Sequence, residues 1–496
     1  MINMNIITVM NFIRGSVNPN FTFEQLFNRA KDEMEVLDDY DFKRTYLVQY
    51  DVMCNERFLN LVKAHTNDKT EIGIWFEFSR PLIDAVGFPW RGRKGWDWDW
   101  HIIPGFSMAY TLDEREILVD EVMRKYKEIY GQYPKTVASW LLDTHTVNYI
   151  YNKYNVDTFA ICRDQRNTDA YTLKGGYFNQ AYYPSRYNMF CPATTAENQI
   201  NAPVFRLLGA CPIRNYYENK YPIEGFEHSF PYTLEPAWPA GQDPKIINWF
   251  FDTFFNNENL GFGYAQVGQE NGFFFQDVIG GLRSQMEILK KRKNIEFLTM
   301  SEAGRWFKET YKETPATAVF ADKDCVEKSD IQSVYYDCKN YTANLFHIDG
   351  KLYFRSMYLF DELFEDSYLK TACDSWTATY ENLPMVETSA SMEQTNDYGM
   401  IIRNGGKFDC RKTDEGVLTV ISGDKKIIFS ENKIIFINCS ISYRLGKLPA
   451  SVALDGNKLL YEYKGFKYSV NIDGEIKAVD GGFEISAIDG RIAICF

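Results

Sequence analysis

The sequence predicts an α/β chain: a distorted (β/α)7 barrel followed by a C-terminal antiparallel β-sandwich domain. Three observations lead there. Between about residues 40 and 310, short apolar runs alternate with helical patterns. After TPAT (314–317) the period changes to 2, with turn signals between the runs. A chain of 496 residues also exceeds what one core supports.

The barrel strands expected in order are TYLVQYD (45–51), EIGIWFEF (71–78), TVASWLLD (136–143), DTFAICRD (157–164), PVFRLLG (203–209), GFGYAQVG (261–268) and IEFLTM (295–300). Each is short and largely apolar, as befits strands covered on both faces. The clearest helix begins at Thr111, where T-L-D-E forms a capping box with Glu114. Leu118, Val122, Met123, Tyr126 and Ile129 then share one face, and Gly131 with Pro134 beyond it ends the helix. Further helices fit 145–154, 243–256, 277–292 and 301–311. The barrel is assigned to 1–315 and the sandwich to 316–496, with an irregular linking segment at 361–398. The sandwich strands are KLYFRSMYLF (351–360), GVLTVIS (416–422), KKIIFS (425–430), NKIIFIN (432–438), KLLYEYKGFKYSV (458–470) and RIAICF (491–496).

A net charge of −13 without a basic face argues against a nucleic-acid backbone as partner and suits a neutral or cationic ligand, or simply a soluble protein. Aromatic residues make up 16% of the chain, a supply of stacking faces with polar tips, most of them expected in the core. The ten cysteines are spread singly with no CxxC, which reads as free thiols in a reducing compartment, so a cytoplasmic location is expected. MINMNIITVMNFIRG holds an apolar run with no basic residue before it. It reads as neither a signal peptide nor a membrane span. Neither GxGxxG nor GxxxxGK[ST] occurs, so no nucleotide cofactor is expected.

In a β/α barrel the reactive groups sit at the C-terminal ends of the strands. Asp51, Glu77, Asp143, Asp164, Glu270 and Glu302 close six of the seven predicted strands, where ordinary acid frequency would place roughly one or two. Clustered acids either hold a metal or perform acid/base and nucleophilic work on glycosidic bonds. Glu302 is discounted because an acid in a helix's first turn is favoured by the dipole alone, and Asp51 has an equal reading as a helix cap. Glu270 lies in GQENG between Gln269 and Asn271, amides suited to sugar hydroxyls. Asp164, between Arg163 and Gln165, reads as an ionised nucleophile or as half of an ion pair. Of five histidines none forms HxxxH or HExxH, so no metal site is assigned; a scattered set of Asp51, His145 and His228 is the alternative. The loop FEHSFPYTLEPAW (226–238) offers His228 and Glu235 as sugar contacts. KGGYFNQAYYPSR (174–186) reads as an active-site loop or a surface hairpin.

TYLVQYD, EIGIWFEF and GQYPKTVASWLLDTHTVNYIYNKYNVDTFAICRDQRNTDAYTLKGGYFNQAYYPS together resemble the glycoside hydrolase/deacetylase β/α-barrel superfamily, and more narrowly sugar-processing-type proteins of Bacteroides-like gut bacteria. The resemblance spans roughly 40–310. It implies a seven-stranded distorted barrel acting on carbohydrate, in a superfamily of retaining α-glycosidases, α-mannosidases and metal-dependent deacetylases. Tyr50-Asp51 stands where deacetylases carry paired aspartates, Trp75 and Glu77 where they carry histidines, and Gln49 where zinc mannosidases carry a histidine. The branch left is the metal-free glycosidase, whose carboxylates here would be Glu270 with Asp164 or Asp143.

The expected function is therefore hydrolysis of a glycosidic bond by two carboxylates, with Glu77 and Asp51 in support and no cofactor. The alternatives are a metal-dependent deacetylase and a non-catalytic carbohydrate-binding protein. The loop GWDWDWH (95–101) lies between Glu77 and Thr111, over the strand ends. It supplies Trp96, Trp98 and His101 as cleft wall, with Trp140, Arg163, Gln165 and Gln269 as further substrate contacts.

Overall fold

The structure is a computed structural model describing residues 4–214, 220–221, 230–272, 277–325, 330–388, 398–413, 415–446 and 448–496. The apolar run at the N-terminus is a barrel strand, Asn5–Ile13, buried from Ile6 onward. It is an interior strand of the sheet, next to one edge. Asn5–Val9 pair in parallel with Gly263–Val267 on one side, and Met10–Ile13 pair with Thr45–Val48 on the other. Beyond it follow Arg44–Val48, Thr70–Trp75, Thr136–Ala138, Thr158–Cys162 and Val204–Leu207, all parallel, with Glu296–Phe297 beside the first strand. The expectation of seven strands thus becomes eight among the described residues, because NIITVMNFI lies ahead of the alternating region that begins near residue 40.

No backbone ladder joins Val204–Leu207 to Gly263–Val267 among the described residues. Side chains bridge the seam instead: Leu208 N donates to Gln266 Oε1 (2.8 Å), and Asn179 Nδ2 donates to the Tyr264 carbonyl (2.9 Å). The barrel is therefore a curled, open sheet.

Side chains alternate along each strand with period 2. Phe12 stacks on Trp75 at 4.3 Å, and Trp140 meets both edge-on at 5.4 and 4.8 Å. These rings plug the barrel. Two residues beyond Phe12 and Trp75 come Arg14 and Glu77, so the strand period lifts charged groups directly above the aromatic floor. Gly268 sets the last of these positions: at φ 116° an added Cβ would lie 1.9 Å from the Met10 carbonyl oxygen. Gly268→Ala is expected to cost more than about 2 kcal/mol in a denaturant titration; unchanged stability would show that the Gln269-Glu270 turn needs no glycine.

The helix at Leu112–Tyr130 has the expected capping box of Thr111 with Glu114, and Gly131 ends it at φ 77°. Helices also occupy Thr144–Tyr154, Pro244–Phe254, Val278–Lys291 and Met300–Thr310, and two more, Phe23–Asp38 and Glu56–Ala64, were not expected. From Thr317 onward every described regular element is a strand. Two large antiparallel sheets face each other there, with Phe354 of one against Phe429 and Phe436 of the other.

Two segments differ from expectation. Within 361–388 the chain docks on the barrel rim and is no loose linker: Cys373 N donates to the Met108 carbonyl, Ile102 N to the Trp376 carbonyl, and Ala378–Glu381 pairs with Tyr171–Lys174. The run 174–186 is neither a cleft loop nor a surface hairpin. Its Tyr177 and Tyr182 are buried, Tyr177 Oη donates to the Pro315 carbonyl, and Phe178 stacks on Tyr335 at 3.9 Å. Its aromatics fasten the barrel to the strands that follow.

Candidate active site

Arg14 organises the site. Its side chain is buried, its Nη2 lies 3.2 Å from Glu77 Oε2, and its Nη1 pairs with Glu270 Oε2. Its guanidinium also sits 4.0 Å over the Trp98 ring, whose indole N–H donates to Glu77 (3.1 Å). Burial alone would lower the pKa of Arg14, but Glu270 and Glu77 overcome it and hold the cation above the ordinary arginine range. Asp51 fixes the turn that carries Arg14. Its Oδ2 accepts from the backbone N–H groups of Gly15 (3.2 Å) and Ser16, and its Oδ1 accepts from Val52 N (2.8 Å). Asp51 lies inside the short helix Tyr50–Met53, whose N-cap is Gln49, so it does not cap that helix; it holds the Gly15–Ser16 turn and thereby positions the arginine.

Glu270 is 6% exposed and its carboxyl is pushed up to about 8. Burial is the largest cause; Arg14 opposes it, while Glu235, Glu77 and Asp169 add to it. At neutral pH Glu270 therefore carries a proton. Glu235, reached through the loop after Val204–Leu207, is also buried and raised, chiefly by burial. Arg163, the Trp238 indole N–H (2.7 Å) and the Gln269 amide draw it back toward the ionised form. Gln269 ties the two loops together, since its Oε1 accepts from Ala237 N at 2.8 Å. Arg163 is anchored by donating to the Leu208 carbonyl (3.1 Å), which also accepts from Thr233 Oγ1. Leu208 itself sits at φ 71°, a costly conformation for a branched residue and one that clusters at working sites.

Asp169 stands at the turn between Gln165–Thr168 and Tyr171–Lys174, with surface open to solvent. The surrounding protein raises its carboxyl, Arg14 and His101 oppose that, and Glu77 adds to it, so the hairpin tip faces the same charges. His101 Nδ1 bonds to Asp99 Oδ1 (2.7 Å), and its ring stacks on Trp100. Asp99 is buried; that opposes its ionisation, but Arg93 and His101 keep its pKa low.

Other expected residues have different roles. Asp143 is fully buried and saturated: it caps Thr144–Tyr154 through Thr146 N (2.9 Å), pairs with Arg115 (2.7 Å) and accepts from the Ser107 hydroxyl. Asp164 pairs with Arg206 (2.7 Å) and accepts from Gly176 N (3.1 Å), and it is not among the charges acting most strongly on Glu270. The geometry thus brings Glu270 together with Glu235, not with Asp164 or Asp143. Trp140 belongs to the floor. Trp96 is packed under Arg93 (3.5 Å) and edge-on to Trp100, anchoring the loop. Gln165 is buried beneath the hairpin, and no described group bonds its Nε2. Glu302 makes the capping box of Met300–Thr310 and pairs with Lys43. His228 lies outside the described residues.

A divalent ion does not fit these donors. A guanidinium already occupies the space between Glu77 and Glu270, both Asp51 oxygens are taken by backbone N–H groups, and His145 bonds to Glu116 at 3.1 Å. Among the described residues no three His, Cys, Asp or Glu are placed to share a metal.

Sequence reasoning missed Arg14, Glu33 and Asp169. Glu33 is a fully buried acid behind the first strand, held by Asn11 Nδ2 (3.0 Å) and pushed up to about 8, chiefly by burial. Its carboxyl is raised from an unfolded value near 4.5, so its stabilising contribution is complete below about pH 4.5 and is lost as pH rises through about 8. Glu33→Gln is expected to remove part of the fall in stability between pH 5 and 9, on the order of a few kcal/mol. Parallel stability curves for variant and wild type would show the carboxyl does not titrate in that window.

No family model matches the chain, and no curated protein matches it. Among solved structures, a candidate glycoside hydrolase/deacetylase from Parabacteroides distasonis is similar at 12% identity with a TM-score of 0.56, covering 78% of this chain and 92% of its own. A candidate polysaccharide deacetylase from Pseudomonas aeruginosa PAO1 aligns at 12% identity and TM-score 0.39, over 62% and 92% of the two chains. One from Mycobacterium smegmatis aligns at 10% and 0.38, over 62% and 91%. The first of these likenesses shows a fold shared with the Parabacteroides distasonis protein. No described helix is long and apolar enough to cross a membrane.

Proposed function

We propose that this protein is a carbohydrate-active hydrolase that cleaves a glycosidic bond, with Glu270 as proton donor and Glu235 as the facing carboxylate. One observation carries this: two buried acids stand on neighbouring loops at the barrel mouth, both raised by burial but with different partners. Arg163, the Trp238 indole and Gln269 pull Glu235 back toward its anion, while three acids push Glu270 further up. Glu270 is kept protonated by burial and the acids around it, while Glu235 sits with Arg163, which favours its anion. Glycoside hydrolysis needs one carboxyl of each kind.

In this scheme Glu270 gives its proton to the leaving oxygen as the C–O bond breaks. Glu235 either attacks the anomeric carbon or takes a proton from the water that does. Arg14 stays charged throughout, so the proton added to Glu270 on the return step does not travel to Glu77. Trp98 and the floor rings exclude water beneath the sugar.

The test is a screen of aryl glycosides and neutral oligosaccharides, followed by Glu235→Gly with the best substrate and added azide. Activity lost in the variant and restored as an inverted glycosyl azide places Glu235 on the face opposite the leaving group; a wild-type product of retained configuration then assigns it as nucleophile, and one of inverted configuration as general base. Unchanged turnover in Glu235→Gly removes it from the reaction, and sugar affinity that survives loss of both carboxylates with no turnover would favour a binding protein.

A further inference from the structure

A second cavity lies at the opposite end of the barrel. A groove of about 940 Å³ opens between the N-terminal ends of the barrel strands and the turns of the antiparallel sheets. Met4, Phe262 and Glu296 mark its place: they precede or begin strands whose far ends carry the Glu270 site. The strand Gly263–Val267 alone separates the two mouths by roughly 15 Å.

We propose that this groove is a second, non-catalytic binding site for a neutral oligosaccharide. Its wall is aromatic. Trp306 is half-buried, edge-on to Phe262 (5.0 Å) and to Tyr311 (5.9 Å), so the ring cluster is rigid while part of the indole stays open. No described protein group accepts from the Trp306 indole N–H, which leaves it available to a hydroxyl. The rim is acidic: Glu296 and Glu415 are exposed and supply acceptors for hydroxyl donors, and Glu431 is half-buried with Lys339 Nζ 3.6 Å from its Oε1. Lys412, the lysine in the lining, has its ammonium engaged by the Asn259 carbonyl at 2.6 Å. The balance of charge repels phosphates and uronates. The volume lies at the upper end of the range for ligand pockets, suited to several linked rings and not to one. Stacking faces beside hydrogen-bond acceptors, with no anion site, describe an uncharged sugar chain.

The ligand class follows from the lining alone and stands apart from the assignment of Glu270 and Glu235. The test uses full-length Glu270→Gln protein, which does not consume its ligands, titrated with malto-, cello-, xylo- and manno-hexaose, a chitosan hexamer and a hexagalacturonate by calorimetry and tryptophan fluorescence. One neutral series is expected to bind, with Kd raised at least tenfold by Trp306→Ala and severalfold by Glu415→Ala on the exposed turn. The second variant keeps the test valid if the first folds poorly. Turnover of a small aryl glycoside in the wild-type background is expected to survive both changes. The inference is overturned if no neutral hexasaccharide binds, if only the chitosan or galacturonate oligomer binds, or if neither substitution weakens binding.

Discussion

Glu270→Gln is expected to reduce kcat on the true substrate by roughly 10²–10⁴-fold, the usual contribution of a positioned general acid. The loss follows from one property of the site: burial and neighbouring acids keep this carboxyl protonated up to about pH 8. Wild-type activity should therefore fall as pH rises through about 8, when the proton to be donated is already gone. Glutamine keeps the size and a hydrogen-bond donor but has no transferable proton, so that limb should vanish from the variant's profile. An aryl glycoside whose leaving group departs without protonation should lose far less. Full activity in the variant, or a profile with its basic limb intact, would sink the assignment.

Arg14→Met should be the most damaging single change to stability near the mouth. Methionine fills much of the same space but strands Glu77, which is 2% exposed, without its cation. Breaking a buried pair from one side costs about 3–5 kcal/mol, and a cation–π contact with Trp98 is lost as well. The cost should shrink as pH falls through about 8, because a protonated Glu270 no longer needs the guanidinium. Arg14→Lys keeps the charge and loses the fork, so an intermediate effect is expected. Urea titrations of the three proteins at pH 5 and pH 8 measure this directly; equal midpoints for Arg14→Met and wild type at pH 8 would show that the carboxylates find other partners.

Much of the fold could be read from periodicity. The strands from 45 onward are continuous apolar runs, and the Thr111 helix announces both ends through its cap and its glycine. Asn5–Ile13 lies well ahead of the next strand, Arg44–Val48, and outside the alternating region that begins near residue 40, so the pattern did not reach it. Its omission hid Arg14, and with Arg14 the partner of both Glu77 and Glu270. Glu270 could be singled out because a turn-prone acid at a strand end has few structural uses, and the structure buries it beside Arg14. Asp143 and Asp164 obeyed the same rule and still became structural, because what decides is the tertiary partner: Arg115 on a helix for one, Arg206 on the next strand for the other. Glu235 followed a loop with no periodic pattern. Nothing local distinguished it from the carboxylates around it.

The interior position of Asn5–Ile13 has a consequence for the order of assembly. One side of this strand waits for residues 263–267 and 296–297, so its ladder closes only when nearly three hundred residues of chain are available. Contacts that distant in sequence make for slow closure, and during synthesis an apolar edge stays uncovered until then. The nascent barrel is therefore most prone to aggregation before its last strands emerge, and chaperone dependence should be greatest for fragments that end short of residue 263.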